Sequence, residues 1–214
     1  MILSRLEVLR GINFNDMKIL VTAFGSFGNF KINPSEIVLL EVKHKWQPIV
    51  GVKIDFKVLD VSFQSVREFY SLIDQEYDLI LNLGVASDEQ KTRFELKAKN
   101  KMDGEDINGV NGGDAEIIEG RKDRETTFPI EILHSVHNEF IDKIIFSSDA
   151  GSYLCNYIYF MGLELYLKAT VLFIHIADFQ NIKGSVDPQS QSEIVTRIIA
   201  GFIDYRKDSI ILLA

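Results

Sequence analysis

Cysteine occurs once in the 214 residues, tryptophan once, and proline and histidine four times each. A lone cysteine excludes an internal disulfide and leaves a single thiol to be explained. The Cys, His and carboxylate residues have no metal-ligand spacing, so no metal site is expected. No apolar stretch reaches about 18 residues, which leaves no candidate for a membrane-spanning helix. Basic runs are missing too: 23 Lys and Arg stand against 31 Asp and Glu, for a formal charge of -8 and a pI near 5.1. A surface of that sign argues against tracking nucleic-acid phosphates. The turn after the first apolar run carries neither G-x-G-x-x-G nor a G-K-[ST] ending, which removes the usual nucleotide cradles. These absences point to a soluble protein of a reducing compartment, the cytoplasm.

What the chain does have is a 46% hydrophobic content laid out in short runs. The β-branched runs Met17 to Ala23, Val50 to Leu59, Asp78 to Leu83, Lys143 to Ser147 and Thr170 to Ile176 are expected as inner strands, with Arg93 to Asn100 as another. Between them lie segments of helical period. Asn33 as N-cap and Pro34 at the first position open a helix to His44, and Ser62 to Gln75 carries Phe63, Val66, Phe69, Tyr70 and Ile73 on one face. Further helices are expected after Pro129, from Gly151 to Leu167 and from Gln189 to Arg206. The alternation is that of a doubly wound α/β domain. We read residues 17–214 as one such domain, with 1–16 as an N-terminal extension or a misassigned start. Residues 101–128 are polar and glycine-bearing, and read as a surface loop or a flap over a substrate.

Cys155 follows an apolar strand and the small-residue turn Ala150 and Gly151, where a helix should begin. Unpaired amides at a helix start favour negative charge, which would lower the thiol pKa and offer donors to an oxyanion. From the residues alone two readings stay open, a nucleophile or a small buried hydrophobe. His175, at the end of the apolar run TVLFIHIADF, is similarly either a structural residue or a base able to take a thiol proton. His44, His134 and His137 fall on helices and read as surface or packing residues.

The segment SSDAGSYLCNY resembles the cysteine signature of pyroglutamyl peptidase I, with Ser147, Asp149, Ala150, Gly151, Tyr153, Leu154, Cys155 and Asn156 in matching order. Phe173, Ile174 and His175 are similar to that family's histidine strand, and Gly84, Glu95, Ala98 and Asn100 to its glutamate segment. Ala177 stands for the usual proline. Within the glutamate segment Ser87, Thr92, Arg93 and Leu96 depart from the pattern, Arg93 lying in a pair where a hydroxyl residue is usual. Thr22, Phe24, Phe27, Gly28, Asn33, Pro34 and Ser35 match the N-terminal signature, although Ala23 and Asn29 replace glycines and Ser26 a proline.

The resemblance implies a three-layer α/β/α sandwich around a central mixed, largely parallel sheet. It implies removal of N-terminal pyroglutamate from peptides by Cys155 as nucleophile, His175 as base and Glu95 as orienter of His175. Phe24 and Phe27 would flank the lactam ring, with Tyr153 and Leu154 completing the substrate pocket, and a homodimer or homotetramer would be the assembly. The family's loop arginine has no counterpart in MDGEDINGV. The alternative of a different class is a catalytically weak homologue that binds a small lactam or peptide end.

Overall fold

The structure, a computed structural model, describes residues 17–73, 76–87 and 89–213; the expectation for residues 1–16, and Gln75 at the end of the second helix, lie outside them. Among the described residues, eight strands and five helices form; the strands in chain order are β1 (Met17–Phe24), β2 (Val52–Leu59), β3 (Leu79–Ala86), β4 (Thr92–Glu95), β5 (Lys97–Ala98), β6 (Arg124–Glu125), β7 (Ile144–Ser147) and β8 (Thr170–Ala177). The helices are α1 (Pro34–Lys45), α2 (Phe63–Leu72), α3 (Ile130–Glu139), α4 (Leu154–Leu165) and α5 (Pro188–Leu213).

Six strands make one sheet in the order β2-β1-β3-β8-β4-β7. β2, β1, β3 and β8 are mutually parallel, whereas β4 runs antiparallel to β8 and β7 parallel to β4. Two strands expected inside the sheet are therefore its edges, β2 and β7. On β2, Val52, Ile54 and Phe56 are only partly buried against one core, and Lys53, Lys57 and Val58 are exposed. Arg93 to Asn100 is not one strand either. It breaks at Leu96, so that β4 joins the main sheet while β5 pairs with β6 in a separate ribbon.

Side chains alternate cleanly across the sheet, as the two-residue period of a strand demands. Ile19, Val21, Leu79, Leu81, Phe94, Leu172 and Ile174 face α1, α3 and α5, while Leu20, Ile80, Val171 and Phe173 face α2 and α4. Each helix lays its apolar stripe on one of these faces, giving the three layers. At the start of α1, Asn33 caps as expected, its Oδ1 accepting from the Ser35 amide at 3.0 Å with Pro34 at the first turn.

Candidate active site

On the α2/α4 face, the carboxyl ends of the parallel strands and the start of α4 enclose a cavity of about 580 Å³. Its wall includes Phe24, Phe27, Arg93, Asp149, Tyr153, Leu154, Cys155 and His175. A crevice at the carboxyl edge is where open α/β sheets place ligands.

Strand pairing explains how the side chains converge. In β8, His175 shares its face with Phe173, whose ring it meets edge-on at 4.7 Å. In the antiparallel neighbour β4, Arg93 is the ladder partner of His175 and Glu95 that of Phe173. The diagonal from His175 to Glu95 is closed by a 2.7 Å contact between Nδ1 and Oε1. Glu95 is 0% exposed and His175 4%. A carboxylate on Nδ1 leaves Nε2 as the atom able to carry a proton to or from the cavity. Tyr159 secures the strand from behind by donating to the Glu95 carbonyl at 2.9 Å.

The thiol reaches this pair without coming from a neighbouring strand. β7 lies two strands away from β8, and the turn after it, with Gly151 at φ 84, brings α4 back across β8 and β3. Cys155, the second residue of α4, is thereby seated over Gly84. A Cβ added to Gly84 would lie 2.6 Å from Cys155 Sγ. Gly84 is the β3 ladder partner of His175. Gly84 and His175 are about one strand spacing apart in the sheet, roughly 4.8 Å, and the sulfur lies above the first of them.

The first main-chain bond of α4 runs from the Tyr157 amide to the Tyr153 carbonyl at 2.9 Å, and no side chain caps the helix. The amides of Leu154, Cys155 and Asn156 precede that bond, so no carbonyl of their own helix can accept from them. This favours anionic sulfur, but it does not lower the thiol pKa as expected. Burial, followed by repulsion from Glu95, pushes Cys155 up to about 12, with Arg93 acting in the opposite direction. Desolvation is the largest of these causes even though Cys155 stays half-buried at the cavity wall, so burial and Glu95 act against the helix terminus.

The other expected wall residues are placed as follows. Phe24 is buried, while Phe27 is half-buried in a tight turn closed by the Phe30 amide on the Phe27 carbonyl at 2.9 Å, with Gly28 at φ 53. Asn33 Nδ2 donates to the Gly25 carbonyl at 3.0 Å, and Ser35 Oγ accepts from the Phe24 amide at 3.3 Å, which ties both phenylalanines to the start of α1. Leu154 is almost wholly core, 1% exposed. The ring of Tyr153 packs on Gly104, and its hydroxyl donates to the Glu105 carbonyl at 2.9 Å.

Residues 101–128 are pinned rather than free. Asn156 accepts from the Lys99 amide and donates to the Lys99 and Lys101 carbonyls, all at 2.8 Å. Asp106 accepts from the Phe63 amide at 2.9 Å and so caps α2. Gly84, Asn156 and Arg93 were not singled out as site residues from sequence. Gly84 and Asn156 stood there only as matches to the family segments, and Arg93 as a departure from one. His134 and His137 pack on Phe146 with ring centroids 5.1 and 5.2 Å away. Among the described residues, no helix is long and apolar enough to cross a membrane.

With this geometry in place, comparison with known proteins is direct. The family model described as pyroglutamyl peptidase matches residues 17–193. A pyrrolidone-carboxylate peptidase of Pyrococcus furiosus is 32% identical over 196 residues, covering 86% of this chain and 87% of its own. One from Coprothermobacter proteolyticus is 30% identical over 197 residues, covering 86% and 92%. A solved structure of a mutant pyrrolidone carboxyl peptidase from Pyrococcus furiosus superposes with a TM-score of 0.75 at 25% identity, covering 88% of this chain and 99% of that one.

Proposed function

The chain belongs to the pyroglutamyl peptidase family, and from that premise we propose that it removes N-terminal pyroglutamate from peptides with Cys155, His175 and Glu95 as its catalytic set. The observation that carries the assignment of residues is the seat of Cys155 over the ladder partner of His175, beside a cavity walled by Phe24 and Phe27. The half-buried Phe27 offers a flat apolar face suited to a lactam ring. A free amino terminus is disfavoured there, because burying an unpaired ammonium costs several kcal/mol.

In the proposed reaction, Cys155 Sγ attacks the pyroglutamyl carbonyl carbon as its proton passes to His175. Burial and Glu95 hold the thiol pKa up, so His175 is needed as the general base that takes the thiol proton during the attack. The oxyanion of the tetrahedral intermediate lies against the amides at the start of α4, which no carbonyl of that helix engages and which act as donors of fixed orientation. His175 then gives its proton to the departing amine, and a thioester remains. Water, deprotonated by His175, cleaves that thioester to release free pyroglutamate and restore the thiol. Glu95 holds the tautomer of His175 throughout and offsets the imidazolium charge.

A single unpaired thiol as nucleophile supports a reducing compartment, the cytoplasm, since oxidation would silence it. The homodimer or homotetramer implied by the family resemblance is carried as part of the proposal, with light scattering as its measurement. The decisive assay is turnover of a chromogenic pyroglutamyl amide by wild type and Cys155→Ser. We expect the variant to lose at least about a thousandfold in kcat/KM. Turnover that survives in the variant removes Cys155 as nucleophile. Binding of pyroglutamate by wild type without cleavage would favour a binding module instead.

A further inference from the structure

Arg93 lines the cavity, yet none of the steps above uses it. Alternation along β4 puts Arg93 and Glu95 on the site face while Phe94 enters the opposite core. Arg93 Nε lies 3.5 Å from Glu95 Oε1, the same oxygen that meets His175 Nδ1 at 2.7 Å. The other oxygen, Oε2, is buried with no hydrogen-bond partner among the described residues. A carboxylate enclosed in this way is costly unless a cation stands beside it. Two groups stand beside it, the His175 ring and the Arg93 guanidinium, and of these only Arg93 carries a fixed positive charge.

The charges around the thiol can be named from each side. β4 brings Glu95 and Arg93, β8 brings His175, and the cap of α4 brings Tyr153, on which Asp106 and Glu105 act. The turn before α4 brings Asp149, which is paired with Lys99 at 2.7 Å and is also held down by Arg93. The residues of β1 and β3 in the wall, Phe24, Val85 and Ala86, are not ionisable. Glu95 opposes a negative sulfur, whereas Arg93 favours it. The resemblance leads to a hydroxyl residue in this part of the segment, so the guanidinium is a feature of this chain.

We propose that Arg93 is a positioning residue of the catalytic cluster, compensating the buried Glu95 carboxylate in the resting state and offsetting its repulsion of a Cys155 thiolate. The inference rests on the assignment of Cys155, His175 and Glu95 made above. It gives β4 two charges with distinct duties, one that anchors His175 and one that keeps the anchor from suppressing the nucleophile.

The test uses the full chain as wild type, Arg93→Met, Arg93→Lys and Cys155→Ser. The readouts are the pH dependence of inactivation by iodoacetamide, the pH dependence of kcat/KM and thermal unfolding. With Arg93→Met alkylation should be about tenfold slower at a fixed pH below the thiol pKa, the equivalent of a rise of about one pH unit. Its kcat should fall while KM stays within about twofold of wild type. Arg93→Lys, which keeps the charge, should return the alkylation rate close to wild type. A wild-type alkylation rate in Arg93→Met overturns the proposal, and so does an equal slowing in both variants, since that reports sterics and not charge. If both variants only lose thermal stability, Arg93 is structural and the proposal again falls. Turnover surviving in Cys155→Ser would instead defeat the underlying assignment, so the two failures are distinguishable.

Discussion

Gly84→Ala tests the geometry at its tightest point. The added Cβ would lie 2.6 Å from Cys155 Sγ and 2.7 Å from Phe173 Cζ. Carbon contacts are comfortable near 3.5–4.0 Å, so each overlap is on the order of 1 Å. Phe173 has little room to yield, being 0% exposed and boxed by Tyr159 at 5.8 Å and His175 at 4.7 Å between ring centroids. The sulfur sits at the cavity edge and is the group able to move. A shift of about 1 Å in a reacting atom costs on the order of a hundredfold in rate. Overpacking costs about 1–3 kcal/mol, part of which is returned because alanine restricts the unfolded chain.

The assay pairs kcat/KM on a chromogenic pyroglutamyl amide with a thermal melt of the same sample. The variant should remain folded at the assay temperature and lose about a hundredfold in activity. Adding Phe173→Leu shortens the aromatic neighbour but leaves the sulfur contact in place. The double variant should therefore regain part of the stability without regaining the activity. Activity of Gly84→Ala within about threefold of wild type would refute the reasoning, because the sulfur would not then lie over β3. Full recovery in the double variant would assign the loss to Phe173 and refute it equally.

Phe27→Ala should raise KM about 10- to 100-fold with a smaller effect on kcat, as expected when one apolar face of a lactam slot is removed and the reacting groups are untouched; steady-state kinetics separates the two. Asp106 carries a pH prediction. Burial by itself would raise its pKa, but the Val110, Phe63 and Asn108 amides and the Ser62 hydroxyl together hold it below its ordinary 3.8. A depressed folded value means that the stability it contributes is complete above about pH 4 and is lost as pH falls through the folded value. Limited proteolysis within residues 101–113 should therefore accelerate only under acid conditions in wild type, and already at neutral pH in Asp106→Ala.

The elements of this fold were legible where local chemistry decides them. Asn33, Pro34 and Ser35 announce the start of α1, and the β-branched runs mark β1, β3 and β8. The edge positions of β2 and β7 were not, because Ile54 and Phe56 look the same in sequence whether a strand is covered on one face or two. The break at Leu96 was hidden for a related reason. Glu95 and Lys97 belong to different sheets, a division created by pairing with β8 and with β6, strands distant in the chain. Cys155, His175 and Glu95 could be singled out as candidates because the segments that resemble the family signatures are local. Gly84 and Asn156 gained meaning only when α4 folded across β3 and against residues 99–101.

The thiol shows why a local rule can be right about position and wrong about outcome. A helix start favours anionic sulfur by a fraction of the macrodipole, typically about 0.3–1 kcal/mol and up to about 2 when partly buried. Removing the sulfur from water acts the other way, and here it dominates with Glu95 adding to it. Sequence can reveal the first effect because it depends on the next few residues of the same chain. The second depends on Phe173 from β8 and Glu95 from β4, which only the assembled sheet brings beside Cys155. In the proposed chemistry, a thiol placed this way depends for its reactivity on a base held at the correct nitrogen. That condition makes the 2.7 Å contact between His175 and Glu95 as necessary to the proposed chemistry as the sulfur itself.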